Sequence, residues 1–488
     1  MGQCVSTVGP TAKVSVCLQQ LESGDAASAI LAGEVLGKLP PGDHHIRAIA
    51  PLLASLKAHI ADASVCFSLV FALVQLSQSR DDLRSKIARN EGVELLLAVL
   101  ELHAADPFVA QHACAALDNL TRSSSAHREA ALRAGVIPGL LRALEAGVAV
   151  PAVVEAAALA LCACAPAEAT GEPLAQEQVA VLLQALDLHA RSPQAATPLA
   201  WALLRLSLSH PDKRPALIAE PMPTMVRVLT ANPTRASLAS ALARGLRTLA
   251  LYEGGRLTVP ELLDGGAVRA LTSALFRNLG VPETAGPCAL ALRTVCAGTP
   301  AGRVACVAAG SEKALASLLH EQLTDAAMAE KACSALAGLA CAGDAALRRA
   351  LARAGIVPLL DAALHVHGGN AGVCLAASGA LAGLAAGVAL GAGVEEDSIA
   401  AFAGVDVGVG LRAAGARHGA AVAQNAALVM RALGPGVEGV EGRGGAPARA
   451  AGEASVDIDA LAPESPRMGG GAAAAMVLRK PELVNSSK

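Results

Sequence analysis

A pair of large apolar residues, three positions apart and set among small residues, recurs nine times along this chain. The first members of successive pairs are 42 to 49 residues apart. A period of this length is typical of a repeat architecture, in which each unit buries its apolar face only by stacking on its neighbours. The pairs are Leu73/Leu76, Leu117/Leu120, Leu161/Cys164, Leu203/Leu206, Leu246/Leu249, Leu292/Val295, Leu336/Leu339, Leu381/Leu384 and Met430/Leu433.

A second pattern keeps the same period, because a glycine repeatedly precedes a leucine-rich stretch. Glycine can adopt the left-handed conformation that ends one helix, and Pro138 and Pro358 suit the first turn of the helix that follows. Each repeat is therefore predicted to contain a short helix, a tight corner and two longer helices, the last of which carries the apolar pair. The glycines are Gly92, Gly135, Gly266, Gly310 and Gly355.

The composition also favours closely packed helices. Apolar residues make up 53% of the chain and aromatic residues only 1%, whereas sheet cores rely on β-branched and aromatic side chains. The formal net charge of −3 provides no general attraction to nucleic acid. Twelve cysteines, without C-x-x-C pairs or zinc-ligand spacing, predict small buried side chains in a reducing compartment. No secretory signal pattern opens the chain, so we expect a cytoplasmic protein that is not secreted.

Residues 114–121, Cys-Ala-Ala-Leu-Asp-Asn-Leu-Thr, resemble the third helix of an armadillo repeat. Together with the period, this resemblance covers about residues 60–434. It implies an all-α fold, a right-handed superhelical solenoid of armadillo-type three-helix repeats. Some segments are also similar to the group of armadillo repeat-containing protein six, namely 292–295, 309–315, 330–340 and 426–434.

The domain organisation follows from the repeat and from a change in composition. Residues 1–24 are predicted to be an N-terminal segment with an acylation motif, and residues 25–434 a solenoid of about nine repeats. Residues 435–488 are rich in Gly, Ala and Pro. Such a tail is predicted to be disordered, because it has little apolar surface to offset the entropy of ordering.

The resemblance also points to a binding surface, because third helices line the groove of peptide-binding armadillo proteins. An asparagine just before the second anchor holds the ligand backbone there. Only Asn119 keeps that residue, and Arg205 replaces it one turn after Trp201. The partner-binding candidates are Gln75, Asn119, Trp201, Arg205, Arg247, Thr248, Arg293 and Thr294. A cationic middle of the groove suits an acidic or phosphorylated protein segment. The alternative is that Trp201 belongs to the core and the arginines to a solvated face.

The N-terminus fits the M-G-x-x-x-[ST] pattern of N-myristoylation, with Gly2 as acceptor and Ser6 in the last position. A single myristoyl chain binds membranes only marginally, and palmitoylation of Cys4 would supply the second chain that stable anchoring needs. Gly2 and Cys4 are therefore predicted lipidation sites that attach the protein to a membrane surface. The alternative is a chance match at the start of the chain.

The uncharged stretch Gly368–Val394 is long enough to span a bilayer. It consists mostly of Ala and Gly, which provide little hydrophobic transfer energy, and it contains the pair Leu381/Leu384 on the period of the repeats. Both observations favour a helix of the solenoid over a membrane span.

No motif for catalysis is found: the chain has no phosphate-binding loop, no G-x-S-x-G and no H-E-x-x-H. His44-His45 and His365-Val-His367 are interpreted as surface-loop residues. We therefore expect no enzyme activity, no catalytic or metal-binding residues, no cofactor, no nucleic acid and no small-molecule substrate. The expected function is a non-enzymatic protein–protein interaction scaffold, lipid-anchored at a cytoplasmic membrane face. The alternative is a soluble cytoplasmic or nuclear adaptor, or a cytoskeletal or ciliary assembly protein, without membrane attachment.

Overall fold

A computed structural model describes residues 10–40, 42–122, 124–165, 174–206, 221–251, 262–340, 345–389, 401–402 and 405–433. Gly2, Cys4 and the tail 435–488 lie outside these residues. Within them every regular element is helical. The helices stack as an all-α solenoid of repeats, as the sequence predicts, and in five of the repeats the structure describes all three helices.

Nine long helices carry the nine apolar pairs, and each is the third helix of a repeat. In repeats 1 to 9 they are Ala63–Ser79, Pro107–Arg122, Pro151–Cys164, Pro193–Leu206, Ala236–Leu251, Pro282–Gly298, Ala326–Ala340, Ala371–Ala389 and Ala420–Leu433. The second helices are Ile49–Ala58, Gly92–His103, Val136–Ala146, Gln176–Leu188, Pro221–Ala231, Ala267–Arg277, Ser311–Glu321, Ile356–Val366 and Val407–His418. The short first helices that the structure describes are the 3-10 helix Asp43–Arg47 and the α-helices Asp81–Arg89, Ser125–Arg133, Pro300–Ala308 and Ala345–Arg353, in repeats 1, 2, 3, 7 and 8.

The apolar pairs form the continuous core that the period predicts. In repeats 1 to 8 both members of each pair are buried, with at most 5% of the residue surface exposed. Burying one such side chain stabilises the fold by about 1.5–3 kcal/mol. Met430 and Leu433 of repeat 9 are only partly buried, since no further repeat packs against them in the part of the chain that the structure describes.

The glycine corners adopt the predicted conformation at four of the five positions. Gly135, Gly266, Gly310 and Gly355 have φ between +67° and +79°, and each directly precedes a second helix. Repeat 2 differs, because Glu91 takes the left-handed conformation with φ +59° and the helix already begins at the next residue.

Gly92 is required for a different reason, namely a close approach of two backbone segments. A Cβ atom on Gly92 would lie 2.6 Å from the carbonyl oxygen of Ile87 and 2.5 Å from its Cγ2. At this corner the absence of a side chain on Gly92 leaves room for the Ile87 backbone, and the preceding residue, Glu91, has the positive φ.

Two helices precede repeat 1 and cap the solenoid. Ala26–Lys38 packs along the third helix of repeat 1 so closely that a Cβ atom on Gly33 would lie 2.7 Å from the carbonyl oxygen of Ser68. Pro10–Glu22 buries Val14, Cys17 and Leu21 in the same core. The core therefore begins before residue 25, with Val14, Cys17 and Leu21, because the first repeat needs a cover for its apolar face.

Polar side chains at the ends of the second helices bind the preceding repeat. Each approaches a backbone carbonyl in the loop before the previous third helix. The pairs are His103–Ile60 at 2.7 Å, His189–Val148 at 2.7 Å, Asn232–Ala190 at 2.6 Å, Asn278–Pro233 at 2.7 Å, Gln322–Leu279 at 3.0 Å, His367–Leu323 at 2.6 Å and His418–Gly368 at 2.8 Å. These bonds satisfy carbonyls that no helix pairs.

These contacts correct the interpretation of two histidines as surface-loop residues. His367 is half-buried and bonded to Leu323. His45 is fully buried, and its Nδ1 accepts a hydrogen bond of 3.1 Å from the backbone N–H of Gly42. Both side chains hold repeats or loops together, which a short sequence window does not reveal.

The stretch Gly368–Val394 contains the third helix Ala371–Ala389 of repeat 8, with Leu381 and Leu384 buried in the core. Among the residues that the structure describes, no helix combines the length and apolar character needed to cross a membrane.

Candidate binding surface on the third helices

In repeats 1 to 8 each third helix buries its apolar pair and leaves one stripe accessible. We call these stripes together the third-helix face. In repeats 1, 2, 4, 5 and 6 its large or charged members are Phe67, Phe71, Gln75, Phe108, His112, Asn119, Arg122, Trp201, Arg205, Arg244, Arg247 and Arg293. In repeats 7 and 8 the corresponding column positions are small residues, Gly338 and Gly383.

Trp201 is the centre of a cationic cluster in repeats 4 and 5. The guanidinium carbons of Arg205 and Arg244 each lie 5.9 Å from the centroid of its ring. Its Nε1–H points to the hydroxyl of Ser237 at 3.4 Å, which orients the ring. Arginines at this distance interact favourably with the π-face of tryptophan. Trp201 is half-buried and also packs on the core, so it contributes to both the core and the face.

A pocket of about 310 Å³ opens beside this cluster, between the third helices of repeats 2, 3 and 4. Arg122 and Arg205 are its charged lining residues, and Trp201 forms one wall. The remaining lining residues are Leu159, Cys162, Ala163, Thr197 and Pro198. The pocket therefore combines an apolar floor with two cationic side chains.

Each arginine of the pocket is fixed by an intramolecular contact. Nη1 of Arg205 donates a hydrogen bond of 3.1 Å to the carbonyl oxygen of Cys162, one repeat earlier. Nη2 of Arg122 pairs with Oδ2 of Asp118 at 2.5 Å. Asp118 is buried, and this burial raises the pKa of its carboxyl group. A guanidinium group has five N–H donors, so each arginine retains donors for a ligand.

The four other candidates of repeats 5 and 6 lie on the next two third helices. Arg293 is exposed and Arg247 is half-buried, with its Nε atom lacking a hydrogen-bond partner in the described structure. The hydroxyls of Thr248 and Thr294 donate to carbonyls of their own helices, at 3.0 Å to Arg244 and 2.9 Å to Leu290. These threonines thus use their donors within the helix.

In the part of the chain that the structure describes, four arginines in the middle of the third-helix face have no carboxylate partner. Within the described residues, no carboxylate lies within 4.0 Å of the guanidinium groups of Arg205, Arg244, Arg247 or Arg293. Arg244 was missing from the sequence candidates. It stands two residues before Leu246, the position that Trp201 has relative to Leu203, and comparison of that column across the repeats would have found it.

Asn119, the asparagine that the armadillo resemblance marks for ligand binding, forms its hydrogen bonds inside the protein. Nδ2 of Asn119 donates to the hydroxyl of Ser77 at 3.0 Å and approaches the carbonyl oxygen of Val74 at 3.4 Å. Both acceptors belong to the third helix of repeat 1. Asn119 therefore joins two repeats, while Gln75 lies half-buried on the same helix as those acceptors.

An aromatic group at the N-terminal end of the face was also missed. The ring of Phe67 lies 6.3 Å from that of Phe108 and 5.2 Å from that of His112, and Phe71 lies 5.8 Å from His112. Phe108 is 65% exposed. The sequence contains the signal, since five phenylalanines occur in the whole chain and three of them fall on two adjacent third helices.

A larger cleft, of about 590 Å³, lies between the second helices of repeats 1 and 2. Its lining contains both charge signs, Lys57 and Arg89 together with Glu91 and Glu94, and Lys57 and Glu91 approach each other to 3.8 Å. A cleft with balanced charge provides no electrostatic selection, in contrast to the third-helix face.

Comparisons with known proteins were made for sequence and for structure. No family model matches the chain, and no curated protein matches it. The narrower resemblance to the group of armadillo repeat-containing protein six therefore stays a prediction. Among solved structures, 107 chains match. One belongs to a structure described as "A conserved phosphorylation switch controls the interaction between cadherin and beta-catenin in vitro and in vivo", with 14% sequence identity, a TM-score of 0.49, and coverage of 86% of this chain and 96% of that chain.

Proposed function

We propose that this protein is a non-enzymatic interaction scaffold that binds an extended acidic segment of a protein partner along its third-helix face. The observation that carries the proposal is the pair of arginines, Arg205 and Arg244, on the ring of Trp201. With Arg247 and Arg293 they form a run of four arginines over three successive third helices. Tryptophan and arginine are the residue types that contribute most binding energy at protein interfaces.

The charge and the length of this surface favour binding of an extended acidic protein segment. A row of cations with no neighbouring carboxylate among the described residues attracts negative charge over a long range and speeds association. The third-helix face continues across several repeats, so that a ligand is bound by contacts distributed along its length. A small substrate would instead need convergent polar groups in an enclosed pocket.

The test is the binding of a fluorescein-labelled peptide of alternating glutamate and serine, followed by fluorescence anisotropy. Arg205→Glu with Arg247→Glu reverses two charges at the centre of the face and is expected to weaken binding at least tenfold, about 1.4 kcal/mol. A second pair, Arg244→Glu with Arg293→Glu, is expected to have the same effect.

The matched control is Arg133→Glu with Arg277→Glu. Both arginines are exposed and lie outside the third helices, so the change in net charge is identical. We expect the control to bind the peptide nearly as well as the wild type. Equal losses in the control and the two test pairs would mean that only net charge matters, and the assignment of the face would be wrong.

We further propose attachment to the cytoplasmic face of a membrane through Gly2 and Cys4. Its support is the sequence motif alone. Mass spectrometry of the intact N-terminus detects either acyl chain directly, and Gly2→Ala is expected to move the protein from the membrane fraction to the supernatant. An unmodified or acetylated N-terminus would favour the adaptor or cytoskeletal assembly role without membrane attachment.

A further inference from the structure

The pocket between repeats 2, 3 and 4 has a chemistry that the rest of the third-helix face lacks. Elsewhere on the face Arg244 and Arg293 are exposed to solvent, whereas here Arg122 and Arg205 border one concave volume of about 310 Å³. This volume is at the lower limit of ligand pockets, which span about 300–1,000 Å³. It therefore suits one side chain of a bound segment better than a whole small molecule.

The two arginines are preorganised for a tetrahedral dianion. Arg122 is held by Asp118 at 2.5 Å and Arg205 by the carbonyl oxygen of Cys162 at 3.1 Å. Fixing a guanidinium group before binding lowers the entropic cost of forming its hydrogen bonds. A phosphate monoester carries a charge of about −1.5 to −2 at pH 7 and three acceptor oxygens, and it can bind two planar donors at once. A carboxylate has only one charge and two oxygens.

The floor of the pocket selects among phosphorylated side chains. Leu159, Ala163 and Pro198 give it an apolar surface, and Trp201 adds an aromatic wall. The phosphate of phosphoserine would reach the arginines but leave this apolar surface exposed to water. An aryl ring would cover it, and burial of apolar area contributes about 25 cal/mol per Å².

We infer that this pocket binds a single phosphotyrosine side chain of the partner segment, with the ring on the apolar floor and the phosphate between Arg122 and Arg205. The inference rests on the proposed function, since the phosphotyrosine belongs to the segment bound along the third-helix face. Asp118 pairs with Arg122, orients that guanidinium group and offsets part of its positive charge.

The pocket binds a phosphate ester without cleaving it. Among the lining residues that the structure describes, Cys162 alone has a sulfur atom, and its thiol donates to the carbonyl oxygen of Pro198 at 3.2 Å. Burial raises the pKa of the Cys162 thiol to about 12. The group is therefore protonated at neutral pH, and the thiolate needed as a nucleophile is absent.

The experiment compares three peptides of one acidic sequence that carry tyrosine, phosphotyrosine or phosphoserine at the same position, titrated into the full chain by calorimetry. We expect the phosphotyrosine peptide to bind at least tenfold more tightly than the other two, about 1.4 kcal/mol. Phenyl phosphate, added in excess, is expected to abolish this advantage, while inorganic phosphate at the same concentration is expected to leave most of it.

The variants Arg122→Lys and Arg205→Lys keep the charge and remove the planar fork of donors. Each is expected to reduce the phosphotyrosine advantage about tenfold or more, whereas the exposed control Arg277→Lys leaves it unchanged. Thermal unfolding followed by circular dichroism verifies that each variant is folded, since lysine can still pair with Asp118.

Equal affinity for the phosphotyrosine and phosphoserine peptides would overturn the inference, as would an advantage that survives both lysine variants. In that case the acidic tyrosine peptide, if it still binds with the charge-reversal dependence described above, leaves the scaffold function intact. Failure of all three peptides to bind would overturn the proposed function itself.

Discussion

The amide nitrogen of Asn119 donates a hydrogen bond of 3.0 Å to the hydroxyl of Ser77, one repeat earlier in the chain. The asparagine that the family resemblance marks for ligand binding thus joins the third helices of repeats 1 and 2. The side chains of the third-helix face that remain accessible to a ligand are Trp201 and the arginines around it.

The first prediction concerns this bond. Asn119→Ala and Ser77→Ala are each expected to lower the free energy of unfolding by about 0.5–1.5 kcal/mol, the usual net contribution of one hydrogen bond. The double variant should lose less than the sum, because the two changes remove one shared interaction. Urea unfolding of the four proteins measures the coupling, and strictly additive losses would show that the bond contributes nothing.

A second prediction concerns the polar side chains at the ends of the second helices. His367→Ala removes the donor to the Leu323 carbonyl oxygen, bonded at 2.6 Å, and is expected to destabilise the protein by about 1–3 kcal/mol because a half-buried carbonyl loses its partner. His367→Asn should lose much less, since Asn232 and Asn278 fill the same role. His365→Ala, at an exposed position, is the control. Equal stability of the Ala and Asn variants would contradict this role.

The third prediction concerns pH. Glu312 is buried, its Oε2 has no hydrogen-bond partner in the described structure, and burial raises the pKa of its carboxyl group above the ordinary value of 4.5. In the window between 4.5 and the raised value the folded state holds a proton that the unfolded state has released. Its contribution to stability is therefore present below pH 4.5 and is lost as pH rises through the folded pKa.

Replacing this carboxyl group by an amide, Glu312→Gln, removes the titration. The variant is expected to be more stable than the wild type at pH 7, with the difference shrinking toward pH 4. Thermal unfolding at several pH values measures it, and the exposed Glu283→Gln is the control. A stability difference between the Glu312→Gln variant and the wild type that does not vary with pH would refute the explanation.

A fourth prediction concerns the corner of repeat 2, where Gly92 allows a close backbone approach and Glu91 adopts the left-handed conformation. Gly92→Ala is expected to destabilise the protein by about 1–3 kcal/mol, because its Cβ would meet the Ile87 backbone. Glu91→Gly is expected to stabilise it by up to about 1 kcal/mol through relief of the left-handed strain. The exposed ion pair between Glu91 and Lys57 at 3.8 Å is worth little in comparison. Guanidinium unfolding measures both variants, and a stabilising Gly92→Ala would rule out the close approach.

Much of the fold could be predicted from the sequence, and much less of the candidate site. The spacing of Leu117/Leu120 and of its eight counterparts placed nine third helices, and four glycines placed the corners between helices. Among the site candidates Trp201 and Arg205 do lie together. Arg122 and Arg244 were missed, because neither is near Trp201 in the sequence. Stacking of the third helices brings Arg244 to the Trp201 ring and Arg122 into the lining of the pocket beside it.

The sequence by itself determined the all-α fold class and the inward side of the third helices in repeats 1 to 8. These follow from apolar periodicity, which acts within a single repeat and is the same in all of them. Only the tertiary structure decided which polar side chains are used inside the solenoid and which remain for a partner. Asn119 donates a hydrogen bond to Ser77, which is 42 residues earlier in the chain. Arg205 donates one to the carbonyl oxygen of Cys162, which is 43 residues earlier. Contacts of this kind exist only once one repeat has packed on the next, because hydrogen bonds depend on distance and direction rather than on position in the chain.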